Sequence, residues 1–221
     1  MKLISVNVGM PREVTWHGTR VSTGIFKTPV QGRIALRKLN LEGDGQADLS
    51  VHGGEYKAVY CYPLVHYEYW KHELPGRELP LGMFGENFTV DGPPESEIFL
   101  GDRYTVGSAE VVVTQPRLPC YKLGIKFGSD EMVKRFFNAG RMGFYLSVAR
   151  EGEVGFGDEM TLTASDPNTV PVSEIVRLYA TKHYAREDTA VMDRILQVEA
   201  VPESWKGYFR DRVSRDVPSQ L

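Results

Sequence analysis

A cysteine in a stiff, basic loop is the feature of this sequence best suited to chemistry. Cys120 ends the segment 114–120, TQPRLPC, whose two prolines restrict the backbone and so fix the direction of the sulfur. Arg117 and Lys122 place positive charge on both sides, and nearby cations favour the thiolate over the thiol. A thiolate held in this way is a soft metal ligand or a nucleophile. The alternative is that Cys120 only fills space, because free cysteines are often buried and inert.

A glycine-rich loop earlier in the chain could bind an anion. The turn-rich segment 41–48, LEGDGQAD, leads into the segment 51–57, VHGGEYK. Gly53 and Gly54 would let backbone N–H groups approach a phosphate closely, and His52 and Lys57 would add donors. The alternative is a tight turn with a histidine on the surface.

Two further segments offer polar candidates. In the segment 84–88, FGENF, Asn87 lies beside Glu86 between aromatic residues, and it could hydrogen-bond a heterocycle or cap a turn. Lys27 could contact a phosphate, although most exposed lysines are only solvated. Neither segment shows by itself whether its polar residue binds a ligand.

Short extended segments separated by glycine dominate the chain up to about residue 164, and they must position these side chains. The strands predicted from the sequence are 3–8, 33–39, 57–62, 98–100, 103–106, 109–115, 144–149 and 159–162. Gly-Asp pairs at 101–102 and 157–158 are turn formers. This spacing predicts a mainly β fold, a closed or partly closed β-barrel with interrupting helices.

Helical periodicity interrupts the barrel twice and then takes over. Helices are predicted at 64–73 and 131–138. After the polar stretch 165–168, three more helices are predicted to begin near Ser173, Asp188 and Pro202. The sequence therefore predicts a β-barrel domain at 1–165 and a three-helix domain at 166–221. The expected role of the second domain is packing or formation of a homodimer.

Composition narrows the class of protein. The chain has 221 residues, a formal net charge of −3 and no basic cluster, so nucleic acid is not an expected partner. Its two cysteines, Cys61 and Cys120, form no CxxC pair, which argues against a disulfide framework and for a reducing cytoplasm. The start MKLISV is too short and too polar for a signal peptide, and no apolar run predicts a membrane span.

Several common motifs are absent from the sequence. It has no Gly-x-Ser-x-Gly of a hydrolase, no complete dinucleotide or phosphate-binding loop, and no His-Glu-x-x-His of a zinc protease. The segment 44–48 has the acidic spacing of a calcium loop, but Leu49 stands where the turn needs glycine. What remains is the distributed set of polar segments described above.

Taken in order, these segments resemble the MOSC family, named after the C-terminal domain of molybdenum-cofactor sulfurases. The resemblance rests on LEGD at 41–44, VHGG at 51–54, FGENF at 84–88, GD at 101–102 and QPRLPCYKL at 115–123. The three-helix tail makes the chain most similar to the YiiM-type members. This resemblance implies a β-barrel that binds a molybdopterin-type molybdenum cofactor, in which Cys120 matches the cysteine that ligates molybdenum.

The resemblance also implies roles for the other polar candidates. The cofactor's phosphate would lie among Lys27, His52, Lys57 and the backbone of Gly53 and Gly54. Asn87, Gln115 and Arg117 would hold the edges of the pterin or orient the oxo groups on the metal. Glu86 and Asp44 would not contact the cofactor but would hold those residues in position. Cys61, in an apolar run, is expected to be a buried strand residue rather than a second ligand.

The activity implied by the resemblance is the reduction of N-hydroxylated compounds. A YiiM-type protein would convert a small substrate such as 6-N-hydroxylaminopurine to the amine and so detoxify hydroxylated base analogues. Electrons are expected from a separate reductase. One alternative is a molybdenum-cofactor carrier or sulfur-transfer protein with a persulfide on Cys120. The other is a hydrolase or a metal-independent binding module built around Cys120 and His52.

Overall fold

The computed structural model describes residues 1–47 and 53–216 of the chain, and the side chains up to residue 214. The strands in these ranges are β1 Lys2–Val8, β2 Arg12–Trp16, β3 Thr19–Thr23, β4 Thr28–Pro29, β5 Arg33–Leu36, β6 Val59–Pro63, β7 Phe88–Asp91, β8 Arg103–Val106, β9 Ala109–Pro116, β10 Phe144–Arg150, β11 Gly152–Gly155 and β12 Met160–Ala164. The α-helices are α1 Val65–Glu73, α2 Tyr121–Phe127, α3 Glu131–Ala139, α4 Val172–Ala180, α5 Arg186–Gln197 and α6 Glu203–Asp216.

Eight strands form one sheet in the order β12-β8-β9-β10-β6-β7-β1-β4. Neighbouring strands of this sheet are antiparallel, except that β6 and β7 run parallel. β11 pairs with β5, and β2 pairs with β3 as a hairpin. The hairpin turns on His17 and Gly18, both with positive φ, a backbone that matches the twist of the flanking strands.

The predicted barrel is confirmed only as a sheet-rich fold. The eight-stranded ladder has two ends, β12 and β4, so no closed barrel is found in the described ranges. An isolated bridge joins Lys2 to Glu159, and the N–H of Met160 donates to the carbonyl of Met1 at 2.7 Å, which brings the start of β1 to β12. Helices contribute about as many residues as strands, so the fold is mixed rather than mainly β.

Most of the predicted elements are present, with shifts of one to three residues at their ends. The strand predicted at 98–100 is wrong, because Phe99 makes a single bridge to Pro171 there. The helices predicted at 64–73 and 131–138 are confirmed as α1 and α3. The sequence patterns missed the β2–β3 hairpin, β4, β7, β11 and the short helix α2.

Two apolar clusters stabilise the fold. The larger one runs from the sheet into the three C-terminal helices, since Ile175, Leu178, Ile195 and Phe209 are as buried as the strand residues they contact. The smaller one is aromatic and packs α1, α2 and α3 on the sheet around Tyr62, Trp70, Phe84 and Phe136. The division into domains at 1–165 and 166–221 remains a prediction.

The three C-terminal helices begin close to the predicted positions. Helix α5 was predicted to begin near Asp188, and it begins two residues earlier, at Arg186. Asp188 lies in its first turn and accepts the N–H of Ala185 at 2.8 Å. Arg177 of α4 pairs with Asp188 at 2.7 Å and so connects the two helices. Across residues 1–47 and 53–216, no helix has both the length and the apolar character required to cross a membrane.

Candidate functional site

Most of the predicted site residues line one cleft, which we call the polar cleft. It contains about 650 Å³ of empty space up to its open mouth. Its walls come from segments distant in sequence, which lie around residues 23–27, 44–47, 57–60, 85–87, 117–122 and 145. The predicted residues that it brings together are Lys27, Asp44, Lys57, Asn87, Arg117 and Cys120.

Cys120 lies at the point where β9 has ended and α2 begins. The strand stops at Pro116, one residue after its predicted end, and Cys120 is the extended residue directly before the first turn of α2, with φ −127° and ψ 173°. Its carbonyl accepts the N–H of Leu123 at 2.9 Å. The thiol is partly exposed, and Cys120 also lines a second cleft on its other side. Cys120 is therefore held on a defined backbone and borders both clefts.

Arg117 is a buried cation with one nitrogen that lacks a partner. Only 5% of its surface is exposed, and its Nη1 makes no hydrogen bond to any part of the chain that the structure describes. Its guanidinium carbon lies 5.2 Å from the ring centres of both Tyr60 and Phe136. Burial acts to lower the pKa of Arg117, but Tyr60, Tyr145 and Cys120 raise it above its usual value, so the group stays charged.

A buried hydrogen-bond network forms another wall of the polar cleft. The ammonium of Lys27 forms an ion pair with the Oδ1 atom of Asp44, and both side chains are at most 8% exposed. Asp44 also accepts the backbone N–H of Gly9 at 2.9 Å and the Nδ2 atom of Asn87 at 2.9 Å. Burial lowers the pKa of Lys27, and the charge of Asp44 opposes that change. The network joins four chain segments and holds the Lys27 side of the cleft in place.

Asn87 connects this network to the sheet. Its Oδ1 atom accepts the N–H of Tyr60 at 3.1 Å, and its Nδ2 atom also donates to the carbonyl of Asn7 at 3.2 Å. These contacts occupy both ends of the Asn87 amide. Its role at a pterin edge stays a prediction.

Lys57 lies where the two clefts meet. It ends a single 3₁₀ turn, Glu55–Lys57, and it lines both clefts together with Leu118, Cys120 and Tyr145. Half-burial lowers the pKa of the Lys57 ammonium. Such an ammonium gives up a proton more readily than an exposed lysine does.

The second cleft, which we call the aromatic cleft, lies between the Cys120 loop and α6. It contains about 870 Å³ of empty space up to its mouth. Besides the four residues that it shares with the polar cleft, it is lined by Gln115, Pro116, Pro119, Ser204, Trp205 and Tyr208. Flat rings and prolines therefore form most of its own surface.

Gln115, predicted at the cofactor, lines the aromatic cleft instead. Its Oε1 atom accepts the indole N–H of Trp205 at 3.0 Å, and its Nε2 atom donates to the carbonyl of Tyr56 at 3.3 Å. Both ends of the amide are thus used within the protein. Gln115 connects β9 to α6 and holds Trp205 in place.

Glu86 lies behind the polar cleft and is fully buried. Its carboxylate accepts the hydroxyl of Tyr67, the backbone N–H groups of Gly82 and Phe84, and the Thr89 hydroxyl. Burial raises the pKa of Glu86, and these donors act against that rise. The contacts hold the loop before β7 in shape, so Glu86 acts on the cleft through Asn87, its neighbour in sequence.

The remaining predicted residues lie elsewhere or outside the described ranges. Gly53 and Gly54 precede the 3₁₀ turn, and the carbonyl of Gly54 accepts the N–H of Lys57 at 3.0 Å. Neither glycine lines a cleft in the described part of the chain. His52 is outside the described residues. Cys61 is fully buried in β6, as predicted, and burial raises the pKa of its thiol.

Two tyrosines of the polar cleft were not found from the sequence. Tyr60 of β6 and Tyr145 of β10 are directly opposite each other in the sheet, with ring centres 5.5 Å apart. Burial raises the pKa of both hydroxyl groups, and the positive charge of Arg117 opposes that rise. Alternation along each strand is a weak signal for inward residues, but nothing in the sequence shows that these strands are neighbours.

The side chains of the polar cleft suit an anionic, oxygen-rich group. Its described lining holds four basic side chains, Lys27, Lys57, Arg117 and Lys122, against the one carboxylate of Asp44. The Nη1 atom of Arg117 requires an acceptor, because an unpaired buried donor is costly. A phosphate or a metal-oxo group would supply one, and the thiol of Cys120 provides a soft ligand.

Any metal at Cys120 would need further ligands from outside the protein. In the ranges 1–47 and 53–216, no three His, Cys, Asp or Glu side chains come together in a group that could hold a metal ion. A cofactor that brings its own sulfur ligands would meet this requirement. The residues present therefore fit a molybdopterin-type cofactor.

Three relatives resemble the chain over most or much of its length. The protein YflK of Bacillus subtilis (strain 168) is 40% identical over 216 residues, which cover 98% of this chain and 96% of that protein. A fungal protein named "Reductase", from Gibberella moniliformis (strain M3125 / FGSC 7600), is 30% identical over 66% of this chain and 26% of its own length. The crystal structure of YiiM from Geobacillus stearothermophilus matches with a TM-score of 0.78 and 33% identity, covering 96% of this chain and 98% of that one.

The family model of the MOSC domain matches residues 48–161. This range contains Cys120, Arg117, Asn87 and Lys57 of the polar cleft. With that match and with relatives that cover nearly the whole length, the chain belongs to the MOSC domain family.

Proposed function

We propose that the protein is a molybdenum-cofactor-dependent reductase of N-hydroxylated compounds, such as 6-N-hydroxylaminopurine. The observation that supports it most is Cys120 at the edge of an electropositive cleft in which the Nη1 atom of the buried Arg117 has no hydrogen-bond partner among the described residues. Membership of the MOSC family supports the cofactor, and the fungal relative named "Reductase" supports the type of reaction.

The residues of the polar cleft would hold the cofactor by charge and by ligation. Lys27, Lys57 and Lys122 would attract its phosphate, and the Nη1 atom of Arg117 would donate to one of its oxygens. The thiolate of Cys120 would bind molybdenum. Asp44 and Asn87 would keep the Lys27 side of the cleft in place through their hydrogen bonds.

The proposed reaction converts R–NH–OH, two electrons and two protons to R–NH2 and water. When bound, the cofactor supplies the electron pair and accepts the oxygen of the N–OH group. A separate reductase in trans would return the electrons. The protein must orient the N–OH group, exclude bulk water and deliver protons. Lys57 is suited to the last task because it lies beside Cys120 at the junction of the clefts and burial lowers its pKa.

The test begins with expression in a cofactor-competent and a cofactor-deficient host. We expect molybdenum and pterin at about one per chain only from the competent host, and reduction of 6-N-hydroxylaminopurine with an artificial electron donor only by that sample. Cys120→Ala should lose both, while Cys61→Ala, which removes a thiol buried in β6, should keep both.

Two results would contradict the proposal. One is a folded Cys120→Ala protein with full activity. The other is loaded protein that carries a persulfide on Cys120 and reduces no N-hydroxylated compound, which is the result that a cofactor carrier or sulfur-transfer protein would give.

A further inference from the structure

The aromatic cleft borders the polar cleft but has a different chemistry. Both are lined by Lys57, Leu118, Cys120 and Tyr145. Beyond these four, the described lining of the aromatic cleft contains no charged side chain. An anionic cofactor is therefore better accommodated on the polar side, and a neutral organic molecule on the aromatic side.

The walls of the aromatic cleft suit a flat ring. Trp205 and Tyr208 of α6 lie with their ring centres 5.7 Å apart at 81°, and Pro116 and Pro119 form apolar surface of the Cys120 loop. Aromatic faces bind flat heterocycles by stacking, and this contact tolerates differences between bases. Ser204, at the rim, adds a hydroxyl that can donate or accept a hydrogen bond.

This wall is rigid before any ligand arrives. The indole N–H of Trp205 donates to Gln115, and Tyr179 of α4 packs against both Trp205 and Tyr208 at 5.6 and 5.5 Å between ring centres. Tyr179 itself lines neither cleft in the described part of the chain. A preformed wall avoids the entropy loss of ordering side chains on binding.

We propose that the aromatic cleft holds the ring of an aromatic N-hydroxylated substrate, such as a hydroxylaminopurine, with Tyr208 of α6 as a stacking surface and the N–OH group toward Cys120. The inference rests on the proposed function, and it adds the surface that would hold the ring of that substrate and a specificity-determining residue on it. The C-terminal helices thus take part in substrate binding in addition to their packing role.

The test measures binding of adenine and of 6-N-hydroxylaminopurine to cofactor-free protein by calorimetry. We expect wild type and Tyr208→Phe to bind both bases, and Tyr208→Ala to bind about tenfold more weakly, the effect of losing one stacking contact. Tyr179→Ala is the matched comparison: it removes a ring that packs on Tyr208 but lines neither cleft in the described part of the chain, so it should weaken base binding less than Tyr208→Ala does.

Three outcomes would overturn the inference. They are no binding by wild type, equal binding by wild type and Tyr208→Ala, or equal losses in Tyr208→Ala and Tyr179→Ala, which would indicate a displaced helix. These results are independent of the cofactor. If the base-binding pattern holds and the loaded protein reduces no N-hydroxylated compound, the proposed function fails by itself.

Discussion

The two clefts that meet at Cys120 are built by opposite means. The polar cleft takes its walls from loops held by a buried ion pair, Lys27–Asp44, and by the amide of Asn87. The aromatic cleft takes one wall from α6, held by the hydrogen bond from Trp205 to Gln115 and by packed rings. Cys120 thus borders a charged compartment and a largely uncharged one.

This difference separates two recognition tasks that a single pocket would have to combine. A charged site favours an anion but must compete with water and salt, whereas an apolar wall accepts many flat molecules with little dependence on salt. Changes to the polar cleft should therefore alter cofactor retention, and changes to the aromatic cleft should alter substrate affinity. The following predictions test that separation, from the largest expected effect to the smallest.

Asp44→Asn should destabilise the protein most. It would leave the ammonium of Lys27 buried without its partner charge, and breaking a buried pair in this way costs about 3–5 kcal/mol. Chemical denaturation would measure the free energy of unfolding. The double variant Lys27→Met/Asp44→Asn should regain much of the loss, and an equally unstable double variant would contradict the view that the unpaired charge is the cause.

Lys57→Arg should change the pH dependence of the reaction. If the Lys57 ammonium delivers a proton, activity is present below its pKa and is lost as pH rises through it, and burial places that pKa below 10.5. An arginine stays protonated, so the alkaline limb of the rate profile should move to higher pH even where the rate itself falls about 100-fold. The control is Lys38→Arg, because Lys38 is an exposed lysine outside both clefts. If the alkaline limb of the rate profile is unchanged in Lys57→Arg, Lys57 does not deliver the proton.

Arg117→Met should separate stability from function. The cofactor-free protein should gain about 1 kcal/mol, because the unpartnered Nη1 atom is removed and an apolar side chain of similar length contacts Tyr60 and Phe136. Cofactor retention should fall about 10–100-fold. Thermal unfolding of cofactor-free protein and molybdenum content of loaded protein measure the two effects, and loss of both together would contradict the prediction.

Trp205→Phe should have the smallest effect and should be confined to the aromatic cleft. It removes the hydrogen bond to Gln115, which is worth about 1 kcal/mol, while a ring remains. KM for an aromatic substrate should rise several-fold with unchanged molybdenum content. Trp16→Phe, in the β2–β3 hairpin, is the control. A loss of cofactor in Trp205→Phe would show that the clefts are not separate.

The sequence predicted the local parts of this arrangement. The strand that ends before Cys120, the cysteine at its end and the helices α1 and α3 follow from patterns within about ten residues. Helix α2 was missed because two prolines precede it, Gly124 lowers its helix propensity, and Gly128 ends it after seven residues.

The parts that depend on distant contacts could not be predicted. Nothing in the sequence indicates that Asp44 accepts from Asn87 43 positions later, or that Gln115 accepts from Trp205 90 positions later. Gln115 lies at the aromatic cleft, where it contacts Trp205, and its expected role at the cofactor stays a prediction. Family resemblance supplied the candidate residues, and only the tertiary structure assigned them to compartments.

The pairing of β1 has a consequence for how the chain reaches its native state. Val6 of β1 pairs with Phe88 of β7, 82 positions later, and β6 and β7 must also align in parallel beside it. Contacts between distant segments slow folding, because a long loop must close before they form. The paired residues of β9 and β10 are closer in sequence, so on refolding of the whole chain we expect the backbone amides of β1 to gain protection from hydrogen exchange after those of the β9–β10 pair.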